Sequence, residues 1–211
     1  MKLTYLIKQP KIVLEKNPVL ILLHGYGSNE QDLFSFANEM PENYFVISVR
    51  APYDMQYGSY AWYAINFDAD ENKFSDVNQA KISRDLVAKF IDELIAKYPI
   101  DENNITLVGF SQGSILSYSI ALSYPEKVRR VAAMSGYLNV EMMTEDFLKN
   151  NLSNLKFFIS HGTDDQVVPV DWGRKAKPFL DNLGANAVYH EYRMGHGISP
   201  QNFHDFKEWI G

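Results

Sequence analysis

The chain has 211 residues, of which 46% are hydrophobic and 22% are charged. A globular chain of this length can bury one sizeable core, so we expect a single domain over residues 1–211. The formal net charge of −6 and the absence of a Lys/Arg run argue against a nucleic-acid partner. The sequence contains no cysteine, which excludes disulfides, thiolate metal sites and a cysteine nucleophile.

The first 16 residues alternate between apolar and polar side chains and contain no apolar signal core. The longest apolar run near the start, residues 19–23, is too short to span a bilayer. Together with the lack of cysteine, this predicts a cytoplasmic protein with no stable membrane insertion. The sequence leaves the oligomeric state open, and a homodimer is one of the states that it allows.

Apolar runs alternate with helical patterns along the chain, which predicts a largely parallel sheet with strands joined by helices. The first two runs are short, close together and half polar, so they are predicted to form an antiparallel edge. The later runs are continuously apolar, as expected of strands covered on both faces. The predicted strands are residues 4–7, 12–15, 19–23, 44–49, 105–108, 128–134, 155–160 and 187–192.

Four helices are predicted from apolar periodicity and from residues that begin or end helices. Asp76 is a suitable N-cap for the longest of them, and Pro99 stops it. Ser199 followed by Pro200 is expected to open the last. The predicted helices span residues 76–98, 112–124, 172–183 and 199–210.

A serine lies at a sharp turn between a predicted strand and a predicted helix, in the sequence Gly-Phe-Ser-Gln-Gly at 109–113. A nucleophilic serine in such a turn needs neighbours without a Cβ two positions away on each side, and both are glycine. A bare match to this pattern also arises by chance, but the strand before it and the helix after it are typical of a nucleophile elbow. We therefore predict that Ser111 is a nucleophile and not a serine in an ordinary surface turn.

A glycine-rich turn follows the predicted strand 19–23, in the sequence His-Gly-Tyr-Gly at 24–27. A tetrahedral oxyanion needs two backbone N–H donors, one after the nucleophile and one in the loop after the third strand. We therefore predict an oxyanion hole formed by the backbone N–H groups of Tyr26 and Gln112. His24 precedes the serine in the chain, so we favour a structural role for it.

Two adjacent carboxylates, Asp164 and Asp165, follow the predicted strand 155–160. At a site built around a nucleophile elbow, the acid comes after the serine in the chain and the histidine comes last. Only one of the two carboxylates can face an imidazole, and a solvated loop acid is the alternative for each. The spacing alone does not decide between them.

The five histidines of the chain compete for the role of general base. His161 lies on the loop of the acid and is expected to be structural, while His190 lies in a predicted strand and His204 in the last helix. His196 alone lies in a turn after the last strand, with glycine on both sides. The glycines would let its ring reach the serine, so we predict His196 as the base.

With these residues in place, the chain resembles the phospholipase/carboxylesterase family, α/β-hydrolases that include acyl-protein thioesterases and bacterial broad-range carboxylesterases. The resemblance covers nearly the whole chain and implies an α/β-hydrolase fold, with a mostly parallel central sheet and helices on both faces. The family's acid stands in an Asp-x-x-Val-Pro spacing that only Asp165 matches, and its oxyanion donors correspond to Tyr26 and Gln112. The first loop, 28–33, is more similar to the bacterial carboxylesterases than to the eukaryotic thioesterases. The motifs that carry the resemblance are LHGYGSNEQDL (23–33), RAP (50–52), AWY (61–63), GFSQG (109–113), HGTDDQVVP (161–169) and GH (195–196).

The segment 51–75 lacks clear periodicity and is the only long irregular stretch available to cover Ser111, so we expect no large lid. We predict that part of it walls an apolar groove beside the serine, with Trp62 and Tyr63 in contact with the substrate. Packing of the segment onto the core is the alternative role for its large side chains. These are Tyr53, Met55, Tyr57, Tyr60, Trp62, Tyr63 and Phe67.

These residues predict two-step acyl transfer through an acyl-enzyme, with no metal or cofactor. The function that fits best is a serine carboxylesterase acting on small-molecule esters with short to medium acyl chains. An acyl-protein thioesterase or a lysophospholipase would use the same residues and differ in the leaving group. A binding protein on an inactive hydrolase fold is a further alternative, which the complete set of Ser111, Asp165 and His196 disfavours.

Overall fold

The computed structural model describes residues 2–67 and 73–211, and its centre is a seven-stranded sheet. The strands are β1 Tyr5–Lys8, β2 Asn17–Leu23, β3 Phe45–Val49, β4 Tyr53–Asp54, β5 Tyr60–Ala61, β6 Ile65–Phe67, β7 Lys73–Ser75, β8 Ile100–Phe110, β9 Arg130–Met134, β10 Lys156–Gly162 and β11 Asn186–Tyr192. The order in the sheet is β1-β3-β2-β8-β9-β10-β11. β1 pairs antiparallel with β3, and all other neighbours are parallel. The predicted, mostly parallel sheet is therefore confirmed.

Helices cover both faces of this sheet, because its central strands are apolar on both sides. The α helices are α1 Val77–Lys97, α2 Gln112–Ser123, α3 Val170–Arg174, α4 Ala176–Asn182 and α5 Pro200–Ile210. In β2, Ile21 and Leu23 belong to a core shared with α1, α2 and α4. Leu20 and Leu22 belong to a second core on the opposite face, shared with α5 and a 3₁₀ helix at Leu33–Glu39. Alternate residues of one strand thus hold the two helical layers.

The ends of two predicted helices are confirmed where the sequence carries capping residues. The side chain of Asp76 accepts a hydrogen bond from the backbone N–H of Gln79 at 3.0 Å, at the start of α1. Ser199 accepts in the same way from the N–H of Asn202 at 3.2 Å, before α5. Each cap satisfies one of the N–H groups that the first helical turn leaves free. None of the described helices is both long enough and apolar enough to cross a membrane.

The single helix predicted over 172–183 is wrong, because the chain forms two short helices there, α3 and α4, which meet at Lys175. Pro178 explains the break. It has no N–H to donate, and its ring clashes with the carbonyl of the residue four positions earlier, Arg174, where α3 ends.

The predicted strand at 12–15 is also wrong, because these residues lie in an irregular loop. The side chain of Asn17 is fully buried and forms hydrogen bonds with the backbone of these residues. Its amide nitrogen donates to the carbonyl of Ile12 at 2.9 Å, and its oxygen accepts from the N–H of Leu14 at 3.0 Å. The same amide nitrogen donates to the carbonyl of Asn43 at 2.7 Å. The antiparallel edge exists, but it is formed by β1 against β3.

The segment 51–75, predicted as irregular, contains two short hairpins, β4 with β5 and β6 with β7. Residues 68–72 and the side chain of Phe67 lie outside the part of the chain that the structure describes. The first hairpin carries the fully exposed Tyr57 at its tip. It also leads into Trp62 and Tyr63, both of them buried.

Candidate active site

Ser111 lies in the tight turn between β8 and α2, with backbone angles φ 53° and ψ −116°. A positive φ strains any residue with a Cβ, by roughly 1–3 kcal/mol, and such strain is concentrated at functional sites. Gly109 and Gly113 permit the turn, since a Cβ on Gly109 would overlap the backbone of residue 113 and one on Gly113 would overlap the backbone of Leu23. The backbone N–H of Ser111 donates to the carbonyl of Met134 at 2.9 Å, which ties the turn to β9.

Ser111, His196 and Asp165 form one hydrogen-bonded chain. The hydroxyl of Ser111 lies 2.9 Å from Nε2 of His196, and Nδ1 of His196 lies 2.7 Å from Oδ2 of Asp165. A carboxylate only accepts hydrogen bonds, so Nδ1 of His196 carries the proton and Nε2 is free to accept from the serine. In this arrangement the imidazole is set up as a base toward Ser111.

Asp165 is buried, and both of its carboxylate oxygens accept hydrogen bonds. Oδ1 accepts hydrogen bonds from the backbone N–H groups of Val167 at 2.8 Å and Val168 at 2.9 Å, while Oδ2 faces His196. Burial alone would raise the pKa of Asp165, but these donors together outweigh it and hold the pKa below its usual value. The carboxylate therefore stays ionised while it faces the imidazole.

The neighbouring Asp164 does not take part in this chain of hydrogen bonds. Asp164 is exposed, and its backbone N–H donates to the carbonyl of Met194 at 3.1 Å. This bond ties the acid loop to the turn that carries His196. The geometry thus brings Asp165 and not Asp164 to the imidazole, as the Asp-x-x-Val-Pro spacing implied.

The turn with His196 approaches β10 closely because Gly162 has no side chain. A Cβ on Gly162 would overlap the carbonyl oxygens of Met194 and Gly195. The ring of Phe110 lies 5.0 Å from the ring of His196 and borders it on the side of the serine turn. The position of the histidine thus depends on the absence of a side chain at Gly162.

Tyr26 and Gln112, the residues predicted to supply oxyanion donors from their backbone N–H groups, both line the cavity that contains Ser111. Within the described residues, neither N–H has a hydrogen-bond acceptor. Gln112 is the first residue of α2, so its N–H also lies at the positive end of the helix dipole. These two donors are therefore free to bind an anionic oxygen.

His24 takes the structural position that the sequence favoured. Its Nε2 accepts from the backbone N–H of Ala51 at 3.1 Å, so Nδ1 carries the proton and donates to the carbonyl of Gly25 at 2.7 Å. Burial lowers the pKa of His24, which keeps the ring neutral. The residue fixes the loop that presents Tyr26.

The side chain of Gln112 makes a contact that sequence reasoning missed. Its amide oxygen accepts from the backbone N–H of Trp62 at 2.8 Å, and its amide nitrogen donates to the carbonyl of Tyr63 at 2.8 Å. One residue thus supplies a free backbone N–H beside Ser111 and fastens the segment that follows the first hairpin. The partners lie 50 and 49 positions away, so no local pattern could have revealed them.

The structure contradicts the prediction that Trp62 contacts the substrate. Trp62 is fully buried, and its indole N–H donates to the carbonyl of His24 at 2.9 Å, so it packs the segment onto the core. It does not line the cavity, whereas Tyr63 does. Of these two adjacent aromatic residues, one packs on the core and the other lines the cavity, and contact of Tyr63 with the substrate stays a prediction.

We expect Gln112→Ala to lower stability and to raise KM, because it leaves two buried backbone groups without partners, at about 1–3 kcal/mol each. For a chain of this size, each kcal/mol lost should lower Tm by roughly 2–4 °C. Thermal unfolding and ester kinetics measure both effects. Gln31→Ala, the same change at an exposed position, is the control. If Gln112→Ala had the Tm and KM of the wild type, the side chain of Gln112 would not be needed to hold the segment at Trp62 and Tyr63.

The cavity at Ser111 has a volume of about 510 Å³, which is in the usual range for a small-molecule site. Its walls combine apolar side chains such as Ile65, Val77 and Ile115 with the polar groups of the serine turn. Among the described residues, the group of His and carboxylate side chains spaced to hold a metal ion is His204, Asp205 and Glu208 on α5, none of which lines this cavity.

The serine lies at a strained strand-to-helix turn of a mostly parallel sheet and is hydrogen-bonded to a histidine, which in turn is hydrogen-bonded to a buried acid. This combination defines the class of serine hydrolases with an α/β-hydrolase fold. The chain belongs to the phospholipase/carboxylesterase family, whose family model matches residues 8–211. This is the family predicted from the motifs.

Individual relatives point to the same fold and family. Acyl-protein thioesterase 1 of Emericella nidulans is 29% identical over 61% of this chain and 55% of its own length. A probable carboxylesterase of Oryza sativa subsp. japonica is 31% identical over 59% of this chain and 47% of its own length, so the chain spans about half the length of these curated relatives. The crystal structure of the Bacillus cereus carboxylesterase superposes with a TM-score of 0.85 at 25% identity, covering 99% of this chain and 93% of that one.

Proposed function

We propose that the protein is a serine carboxylesterase in which Ser111 is the nucleophile, His196 the general base and Asp165 the orienting acid. The observation that carries the proposal is the unbroken hydrogen-bonded chain from Asp165 through His196 to Ser111, at a cavity of about 510 Å³. Membership of the phospholipase/carboxylesterase family supports it. A cytoplasmic location is part of the proposal, supported by the absence of cysteine.

The reaction would proceed in two steps. Nε2 of His196 takes the hydroxyl proton as Oγ of Ser111 attacks the ester carbonyl, and the N–H groups of Tyr26 and Gln112 stabilise the resulting oxyanion. The C–O bond to the alcohol then breaks, and the alcohol leaves with the proton from His196. Water, deprotonated by the same nitrogen, attacks the acyl-enzyme and releases the acid and free Ser111.

Labelling with a fluorophosphonate, combined with rates on soluble aryl esters, tests this proposal. A serine hydrolase should be labelled once per chain, at Ser111, and labelling should abolish hydrolysis in proportion. Labelling without any ester turnover would favour a different acyl substrate, and a protein that is neither labelled nor active would contradict the proposal.

The walls of the cavity favour uncharged acyl esters. Glu141 lines the cavity, so its carboxylate would repel an anionic substrate such as a lysophospholipid, with its phosphate group. Among the lining residues that the structure describes, there is no Lys or Arg to pair with such a phosphate. These observations rank a carboxylesterase above a lysophospholipase.

We expect kcat/KM on soluble aryl esters to rise from acetate to a maximum at short or medium acyl chains and then to fall. Each methylene that the cavity buries contributes about 0.8 kcal/mol, until the acyl chain outgrows the cavity and further methylenes stay in water. A panel of chain lengths, measured below and above the critical micelle concentration, gives the profile. A steady rise through long chains, or a jump in rate above that concentration, would revive a lipase or depalmitoylase function.

A cavity-filling variant tests whether the walls set this maximum. Val77 lines the cavity, so Val77→Phe should move the maximum to shorter acyl chains. Val188→Phe is the matched control, because Val188 is partly exposed on β11 and does not line the cavity. An unchanged profile in Val77→Phe would place the acyl chain elsewhere.

A thioesterase activity is the second candidate, favoured by the likeness to acyl-protein thioesterase 1 of Emericella nidulans. Both activities would use the same three residues and differ in the leaving group. Comparing kcat/KM on oxygen and thiol esters with the same acyl group separates them. A strong preference for the thiol ester would replace carboxylesterase with thioesterase as the function.

A further inference from the structure

His161 lies fully buried beside the acid of the catalytic group, at the end of β10. Its Nε2 is 2.9 Å from the carbonyl oxygen of Val168 and 3.4 Å from Oδ2 of Asp165. Val168 in turn donates its own N–H to Oδ1 of the same carboxylate. The imidazole therefore contacts both the carboxylate and the turn that binds it.

The partners of His161 determine where its proton lies. A carbonyl oxygen only accepts hydrogen bonds, so Nε2 must carry the proton. That N–H donates to the carbonyl of Val168 at 2.9 Å, and Oδ2 of Asp165 lies 3.4 Å from the same nitrogen. Nδ1 of His161 is buried and has no hydrogen-bond partner among the described residues.

The unpartnered nitrogen is evidence against a role in packing alone. A buried polar atom without a partner destabilises the folded state, and an apolar side chain would fill the same space without that penalty. The backbone of α3 packs directly on the ring, because a Cβ on Gly173 would overlap Nδ1 of His161. The helix thus accommodates an imidazole whose second nitrogen makes no hydrogen bond to any residue that the structure describes.

We propose that His161 is a positioning residue for Asp165. Its Nε2–H donates to the carbonyl of Val168, which keeps the N–H of Val168 on Oδ1 of Asp165, and the same polar N–H lies close to Oδ2, with the nitrogen 3.4 Å away. Both contacts fix the plane of the carboxylate, and that plane fixes the tautomer and direction of His196. The inference rests on the proposed function, since it assigns His161 a part in the same acyl transfer.

Two substitutions with side chains of equal length distinguish a positioning role of His161 from a role in packing alone. In His161→Gln the amide nitrogen can reach the place of Nε2 and donate there, whereas His161→Met fills the same length without a donor. We expect His161→Met to lower kcat by roughly 10- to 100-fold with little change in KM, because a small displacement of a catalytic group has effects of this size. His161→Gln should recover most of the loss. Rates are expressed per site titrated with a fluorophosphonate, so that misfolded protein does not count.

The comparison can overturn the proposal in two ways. A wild-type kcat in His161→Met would show that the donor is not needed, and an equal loss in both variants would show that only the ring shape matters. Both results require that the wild-type protein hydrolyses esters. Failure of the proposed function itself would instead appear as a wild-type protein without turnover on esters.

Nitrogen-15 NMR of the histidine rings tests the proposal in the wild-type protein, without relying on the folding of any variant. We expect Nε2 of His161 to carry a proton, because it faces the carbonyl of Val168. His24 is an internal comparison of opposite form, because its partners place its proton on Nδ1. An Nε2 of His161 without a proton would overturn the proposal.

Discussion

Ser111→Ala should reduce kcat for ester hydrolysis by roughly 10⁶-fold, the loss typical of removing the nucleophile of such a site. In the proposed mechanism the hydroxyl oxygen bonds to the substrate, and this hydroxyl lies 2.9 Å from Nε2 of His196. The fold should persist, because alanine keeps the Cβ that already occupies the strained turn. Initial rates on an aryl ester, with unfolding curves for both proteins, measure the two effects.

Ser114→Ala is the matched control for this experiment. Ser114 lies three positions further along α2, is fully buried and does not line the cavity, so the same substitution should leave kcat near the wild-type value. More than a trace of turnover by Ser111→Ala, after contamination is excluded, would remove Ser111 from the mechanism.

Asp165→Asn should lower kcat by roughly 10⁴-fold, and the surroundings of the carboxylate explain why. The backbone N–H groups of Val167 and Val168 donate to Oδ1, so the amide oxygen of the new asparagine would take that place. Its NH₂ group would then face Nδ1 of His196 and require that nitrogen to accept. The proton of the imidazole would move to Nε2, which could no longer take the proton of Ser111.

Asp164→Asn makes the same chemical change one position earlier and should have a mild effect. Asp164 is exposed, and the contact that it makes to the histidine turn uses its backbone N–H. The kcat values of the two variants, each with its unfolding curve, decide between the carboxylates. The opposite ranking would move the orienting acid to position 164.

The parts of the fold that depend on local patterns could be predicted from the sequence. Continuously apolar runs such as 19–23 form the buried parallel strands, and Asp76 and Ser199 cap helices as expected. The turn at Ser111 could be predicted because it needs glycine at two fixed positions. These features depend on residues within a few positions of one another.

The features that could not be predicted depend on contacts between distant residues. Asn17 binds the backbone at residues 12, 14 and 43 and so removes a strand that the alternating pattern favoured. Trp62 and Tyr63 are adjacent aromatic residues, yet one packs on the core and the other lines the cavity. The break at Pro178 is different, because the proline was visible in the sequence and its effect on the helix could have been predicted.

The double role of Gln112 bears on how the substrate range of this protein could be broadened. Substitutions at Trp62 or Tyr63 would disturb the residue whose N–H is proposed to hold the oxyanion, so gains in size on that wall would come with losses in rate. Trp172, which is about half exposed, also lines the cavity and belongs to the short helix α3. Libraries that enlarge the cavity should therefore begin at Trp172, because its substitution would not disturb the hydrogen bonds of Gln112.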